Sequence, residues 1–182
     1  MVQDTCAIPG MEGNILCGEF CGESMANKVK LDKVDRRILK DLQEDGRITN
    51  VELAKRIGIS APPCLRRVRA LEERGVIRGY HADISLECLG YSVIVFAFVG
   101  LTSQAEQDLG GFEEMVNQWA EVRECHMLVG ETDFLLKIVA SDWDEVQQFL
   151  TSKLYNAPNV CNVKTSLVIR SGKCGIGVPI GD

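Results

Sequence analysis

Residues 50–69, NVELAKRIGISAPPCLRRVR, constrain the fold of this 182-residue chain more than any other stretch, because they encode two short helices separated by a single glycine turn. The first helix starts at Thr49 or Asn50, whose side-chain oxygen can accept an orphan backbone N–H, and carries Val51, Ala54 and Ile57 at helical spacing. Gly58 tolerates the left-handed conformation that closes a helix, and Ser60 is positioned to cap the next one. A connection of about four residues suits a helix-turn-helix. Pro62 and Pro63 fall in the first turn of the second helix, where a missing N–H removes no intrahelical bond, so they mark a start.

In that second helix Cys64, Leu65, Val68 and Leu71 form an apolar stripe, which directs Arg66, Arg67 and Arg69 elsewhere. Arginine pairs bidentately with guanine or grips phosphate, so these three are the expected DNA contacts. The full surface expected to meet DNA is Asn50, Ser60, Ala61, Pro62, Pro63, Cys64, Arg66, Arg67 and Arg69. A third helix over 32–44 presents Val34, Ile38 and Leu42 every four residues, with Asp32 as its cap. Beyond Gly75 the segment VIRGYHADI predicts a wing or an exit strand, where Arg78 and His81 are exposed polar residues that could touch a DNA backbone.

Charge is unevenly distributed. Residues 28–84 carry 14 Lys/Arg against 9 Asp/Glu, whereas 85–182 carry 6 against 13, within a chain of net charge −6. A basic module inside an acidic protein implies a localised DNA footprint and argues against general coating of nucleic acid. No apolar run approaches the ~18 residues of a membrane span, and the start lacks a secretory pattern, so a cytoplasmic protein without membrane contact is expected. Eight cysteines are scattered at 6, 17, 21, 64, 88, 125, 161 and 174. Cys17 and Cys21 have no second ligand pair, so free thiols are expected and a metal is not.

The second half reads as strand 92–101, helix 104–120, strand 122–129, turn 130–133, strand 134–140, helix 142–154 and strand 160–169. That βαββαβ order predicts an α+β chain: a three-helix helix-turn-helix domain followed by a ferredoxin-like antiparallel sheet with both helices on one face. The expected boundaries are a disordered extension over 1–30, the DNA-binding domain over 31–84, a linker over 85–91, the sheet domain over 92–170 and a Gly-rich tail over 171–182. In the first strand, Val93, Val95, Ala97 and Val99 alternate with Ile94, Phe96 and Phe98, so both faces are apolar while the helices can cover only one. A second copy of the chain, packed sheet against sheet, is expected to bury the other, and such a homodimer suits a palindromic duplex.

Taken in order, LDKVDRRILKDLQEDGRITNVELAKRIGIS, CLRRVRALEERGVIRGY and ECHMLVGETDFLLK resemble the transcriptional regulators of the leucine-responsive/asparagine-operon (Lrp/AsnC, feast/famine) family over residues 31–169. The resemblance implies dimers and often octamers, and control by an amino acid. It departs from the family at Ser60-Ala61-Pro62, where Ser-Pro-Thr is common, and at Arg66, where Glu is frequent; the operator sequence is therefore not carried over. It places a small molecule at Gly130, Glu131, Thr132, Asp133 and Phe134, facing Thr165, Ser166 and Leu167. Chemically, Asp133 suits an ammonium group and a glycine turn offers backbone N–H groups to a carboxylate, although Gly and Asp also build ordinary hairpin turns.

Catalysis finds little support. The two histidines are His81 and His126, and Cys125 and His126 are strand neighbours that point to opposite faces. Two alternatives stay open: a sirohaem-decarboxylase-like enzyme of similar fold, and an interaction module that binds no DNA.

Overall fold

The computed structural model describes residues 29–175 and 177–181. The expected disorder of the first residues and the Cys17/Cys21 pair lie outside that range. Two compact units form: a helical unit holding the described residues up to Asp83 together with those from Lys173 onward, and a sheet unit over Ile84–Gly172.

In the helical unit, α1 (Lys33–Glu44), α2 (Asn50–Ile57) and α3 (Ala61–Glu73) close around Ile38, Leu53, Ala54, Ile57, Cys64 and Leu71. Their ends are set locally. Asp32 Oδ1 accepts the Asp35 N–H at 2.7 Å, while Asp35 Oδ2 accepts the Asp32 N–H at 3.3 Å, a reciprocal capping box on α1. Thr49 Oγ1 accepts the Glu52 N–H at 3.2 Å and caps α2. Gly58 closes α2 at φ 81°, in the left-handed region that disfavours any residue with a Cβ.

Ser60 precedes α3 in the capping conformation, yet its hydroxyl caps nothing. The reason is covalent: a cap reaches the second or third N–H of its helix, and here those positions are Pro62 and Pro63. Thr49→Ala is therefore expected to cost about 1 kcal/mol, whereas Ser60→Ala costs less than ~0.5 kcal/mol, as urea unfolding of the two variants will show.

Two apolar assignments change. Val51 is 70% exposed and Leu65 38% exposed, so neither belongs to the core stripe expected for it. The expected wing strand is not formed, because residues 76–84 find no partner strand among the described residues. Instead Val76 and Ile77 pack on the helical core, their N–H groups donating to the Leu71 carbonyl, and Tyr80 Oη donates to Glu72 Oε1 at 2.9 Å. Burial, and then that carboxylate, push the Tyr80 phenol up to about 12.

The Gly-rich tail also makes defined contacts within this unit. Gln43 Nε2 donates to the Val178 carbonyl at 3.0 Å and Gln43 Oε1 accepts the Val178 N–H at 3.1 Å. Gly177 adopts φ 77°, and a Cβ there would run into the Gln43 side chain.

The sheet unit contains β1 (Val93–Leu101), α4 (Glu106–Val116), β2 (Val122–Met127), β3 (Phe134–Ala140), α5 (Trp143–Phe149) and β4 (Val160–Leu167). The strands lie in the antiparallel order β2-β3-β1-β4, the ferredoxin-like arrangement. On the helix-covered face Val95, Ala97 and Val99 are fully buried with Phe134, Leu136 and Ile138. Phe112 lies 4.8 Å from Phe134, ring centre to ring centre, and Trp119 lies 5.4 Å from Phe149.

Both helices are shorter than their apolar periodicity suggests. After Phe149 the chain makes one π turn over Leu150–Leu154, where Thr151 Oγ1 and Ser152 Oγ donate to the Gln147 and Gln148 carbonyls at 2.9 and 2.6 Å. Hydroxyls that bond back in this way compete with the helix's own N–H ladder. On the opposite face of the sheet Ile94, Phe96 and Phe98 are only half-buried. By register Leu135 lies beside Phe98 and Lys137 beside Phe96. Glu124 Oε1 accepts from Lys137 Nζ at 2.7 Å on the same face.

Candidate DNA-binding and effector-binding surfaces

The three clustered arginines do not act alike. Arg67 turns back into its own unit: Nη1 donates to Asp32 Oδ2 and to Asp35 Oδ1, both at 2.7 Å. Asp35 is only 8% exposed, so this ion pair ties α3 to the start of α1. Arg67, expected as a DNA contact, is in this structure a clamp that seats the helix. Among the described residues the Arg66 and Arg69 side chains have no hydrogen bond or ion pair, and both residues are exposed. They lie with Pro62, Leu65, Ala70 and Glu73 along one shallow outward concavity, at the i, i+3, i+4 and i+7 spacing of a single helix face.

The clamp gives the unit an acid-sensitive joint. The Asp35 N–H bonded to its carboxylate, together with Arg67, holds the Asp32 carboxyl below its ordinary value of 3.8. A depressed carboxyl contributes stability that is complete above 3.8 and is lost as pH falls through the folded-state value. Asparagine keeps the cap but not the charge. The thermal midpoints of wild type and Asp32→Asn should therefore differ at neutral pH and converge in acid.

Other expected DNA residues have structural roles. Cys64 is fully buried beneath α3, where desolvation pushes its thiol up, and it is corrected from surface to core. Asn50 Nδ2 donates to the Ala61 carbonyl at 2.9 Å, bracing α2 against α3, while Asn50 Oδ1 is buried without a partner among the described residues. Ser60 and Pro62 are exposed, and Ala61 and Pro63 are half-buried.

In the sheet unit Asp133 pins the loop before β3. Oδ2 accepts the Leu101 N–H at 2.7 Å and Oδ1 accepts from Gln104 Nε2 at 2.9 Å. Its backbone N–H donates to the Val99 carbonyl and its own carbonyl accepts the Leu128 N–H. A carboxylate has about four acceptor positions, so two stay available to an incoming cation. Glu131 is exposed and Thr132 half-buried, while Phe134 is fully buried in the core and is corrected from ligand contact to scaffold.

Thr165, Ser166 and Leu167 do not meet this loop within one chain. Phe134 and Val163 both pair with Val99, whereas Leu167 pairs with Val95, four residues along β1. At ~3.3 Å per residue that separates Leu167 from the Phe134 row by roughly 13 Å. Thr165 and Leu167 moreover share the face of Ala97 and Val95, and Ser166 that of Phe96.

Residues 31–78 match winged helix-turn-helix DNA-binding domains, and residues 94–177 match the Lrp/AsnC ligand-binding domain. The chain belongs to the Lrp/AsnC family. It is 50% identical over 156 residues to the leucine-responsive regulatory protein of Rhizobium meliloti (strain 1021), covering 86% of this chain and 100% of that one. To the protein of the same name from Escherichia coli (strain K12) it is 41% identical over 143 residues, 79% of this chain and 87% of that one. A transcriptional regulator from Neisseria meningitidis solved with L-methionine superposes with a TM-score of 0.79 at 37% identity, covering 82% of this chain and 97% of that one.

As an Lrp/AsnC member the protein is a transcriptional regulator with a DNA-binding helix-turn-helix and a ligand-binding domain. No described helix of the regulator is long and apolar enough to cross a membrane. Three residues with defined places in these surfaces escape a reading of the sequence. Leu65 could have been found, because it stands three residues after Pro62 and four before Arg69, on their face. Asp35 and Gln104 could not, since their partners Arg67 and Asp133 lie 32 and 29 residues away.

Proposed function

We propose that this regulator binds operator DNA in the cytoplasm as a homodimer, through the outward face of α3, and that an amino acid held near Asp133 changes its DNA binding or its assembly. The observation that carries the reading is the division among the arginines: Arg67 is fixed by two carboxylates, and among the described residues Arg66 and Arg69 are left unpaired on one exposed face. Guanidinium groups left without intramolecular partners are suited to phosphates and base edges. The half-buried Ile94, Phe96 and Phe98 support a second copy packed on the sheet, since an apolar strip of this kind is costly in water. The separation of Thr165 and Leu167 from the Asp133 loop supports an effector site shared between chains, and hence assembly beyond the dimer. That the Neisseria relative was solved with L-methionine supports an amino acid as the effector class.

A mobility-shift titration with a duplex from the regulator's own upstream region tests the DNA arm. Binding should weaken steeply with salt, because each phosphate neutralised releases counterion. Absence of any shift at low salt would leave the protein an interaction module. Calorimetric screening of the twenty amino acids, followed by the same titration with each one that binds, tests the effector arm. Phe96→Glu, followed by sedimentation, tests the sheet-to-sheet dimer.

A further inference from the structure

Resting on the DNA-binding reading, we propose that α3 reads a guanine next to a thymine in each half-site: Arg66 pairs bidentately with the guanine, Leu65 and Pro62 pack on the thymine methyl, and Arg69 holds phosphate.

The helix start is chemically unusual. An ordinary recognition helix offers N-terminal backbone N–H groups to phosphate, but Pro62 and Pro63 have none, and the Cys64 N–H already donates to the Ser60 carbonyl at 3.2 Å. The Ser60 hydroxyl and the Ala61 N–H remain at the very tip, but the first side chains on the face that runs to Glu73, Pro62 and Leu65, are apolar, and the base feature in the major groove that an apolar group recognises is the thymine 5-methyl. Moving along the exposed face, Pro62 and Leu65 precede Arg66, the first side chain there that can donate hydrogen bonds.

Arginine meets guanine O6 and N7 with two parallel N–H groups, a fit no other base offers. Among the described residues Arg66 has no competing acid partner, unlike Arg67. From Pro62 to Arg69 the face is about 10 Å long at 1.5 Å per residue, roughly three base-pair steps. Arg69 stands one turn beyond Arg66, towards the end of the contact. Glu73, one turn further on the same face, repels the backbone and limits the footprint. The order apolar, guanidinium, guanidinium, carboxylate thus maps onto methyl, guanine, phosphate and the edge of the groove.

The test uses the full chain. Duplexes selected from a random pool by the wild type are re-measured by mobility shift after single base-pair changes and after thymine is replaced by uracil. Exchanging the read G·C pair for A·T should weaken wild type between about 5- and 150-fold, the worth of one bidentate contact. Arg66→Ala should flatten that penalty to under about threefold while keeping the wild-type thermal midpoint. Arg66→Lys separates base reading from charge: it should lose the guanine penalty yet keep the salt dependence.

Uracil should cost wild type about fourfold, the value of one buried carbon, and should cost Leu65→Ala, which keeps only the Pro62 contact, measurably less. Arg69→Ala should weaken all duplexes alike and lower the salt slope by about one. Retention of the full guanine penalty by both Arg66 variants would overturn the proposal. Failure of wild type to select any duplex would instead overturn the DNA-binding reading beneath it.

Discussion

Phe134→Ala is expected to destabilise the sheet unit by about 3–5 kcal/mol, the cost of removing a large aromatic side chain from a packed interior. Phe134 is fully buried, lies against Phe112 at 4.8 Å and follows directly on the Asp133 loop. Its loss leaves a void lined by rigid strand and helix residues that have little freedom to collapse. Against a typical domain stability of about 5–15 kcal/mol, that is about a fifth of the total or more. The helical unit should keep its own transition, because its core shares no residue with the cluster around Phe134. Calorimetry of the variant should show one transition moved far down in temperature and the other in place. Loss of effector response in Phe134→Ala then reports unfolding and says nothing about ligand contact.

Asp133→Ala should cost about 2 kcal/mol, because it removes a charged acceptor from the Leu101 N–H and strands that donor in a buried position. Asp133→Asn is the informative variant. Its carbonyl can still accept from Leu101, and Gln104 can rotate its amide to face the new NH2 group, so the loop keeps its strut and most of its stability. What disappears is the charge. If Asp133 receives the effector's ammonium, amino-acid affinity in Asp133→Asn should fall about 10- to 150-fold, the worth of a charge-assisted hydrogen bond, while the thermal midpoint barely moves. Unchanged affinity by calorimetry would place the ammonium elsewhere.

The parts of this fold that could be read in advance are those whose causes are local. Asp32, Thr49 and Gly58 set helix ends through atoms within a few residues, so their roles follow from spacing alone. Alternation along β1 likewise announces a strand apolar on both faces. The arginine cluster shows where local reasoning stops. Arg66, Arg67 and Arg69 occupy neighbouring positions on one helix, and which of them turns inward is decided by carboxylates 35 and 32 residues upstream. Spacing alone leaves Leu65 in the stripe with Cys64, although the core has room for Cys64, Val68 and Leu71 without it. The π turn was hidden for a different reason. Thr151 and Ser152 look like ordinary helix residues until their hydroxyls are seen to take the carbonyls of Gln147 and Gln148. At the loop before β3, sequence places the acidic turn but not the neighbour that orients it, since Gln104 reaches Asp133 only after β1 and β3 have paired.

The grip of Gln43 on Val178 sets an order of events during synthesis. The two residues stand 135 positions apart, so the ribosome finishes α1, α2 and α3 and then makes the whole sheet unit before the partner of Gln43 exists. At about 5–20 residues per second that is a wait of roughly 7–27 s. The interior around Ile38 contains no described tail residue and can close at once, which leaves the docking of residues 177–181 as the last step in completing the module that meets DNA.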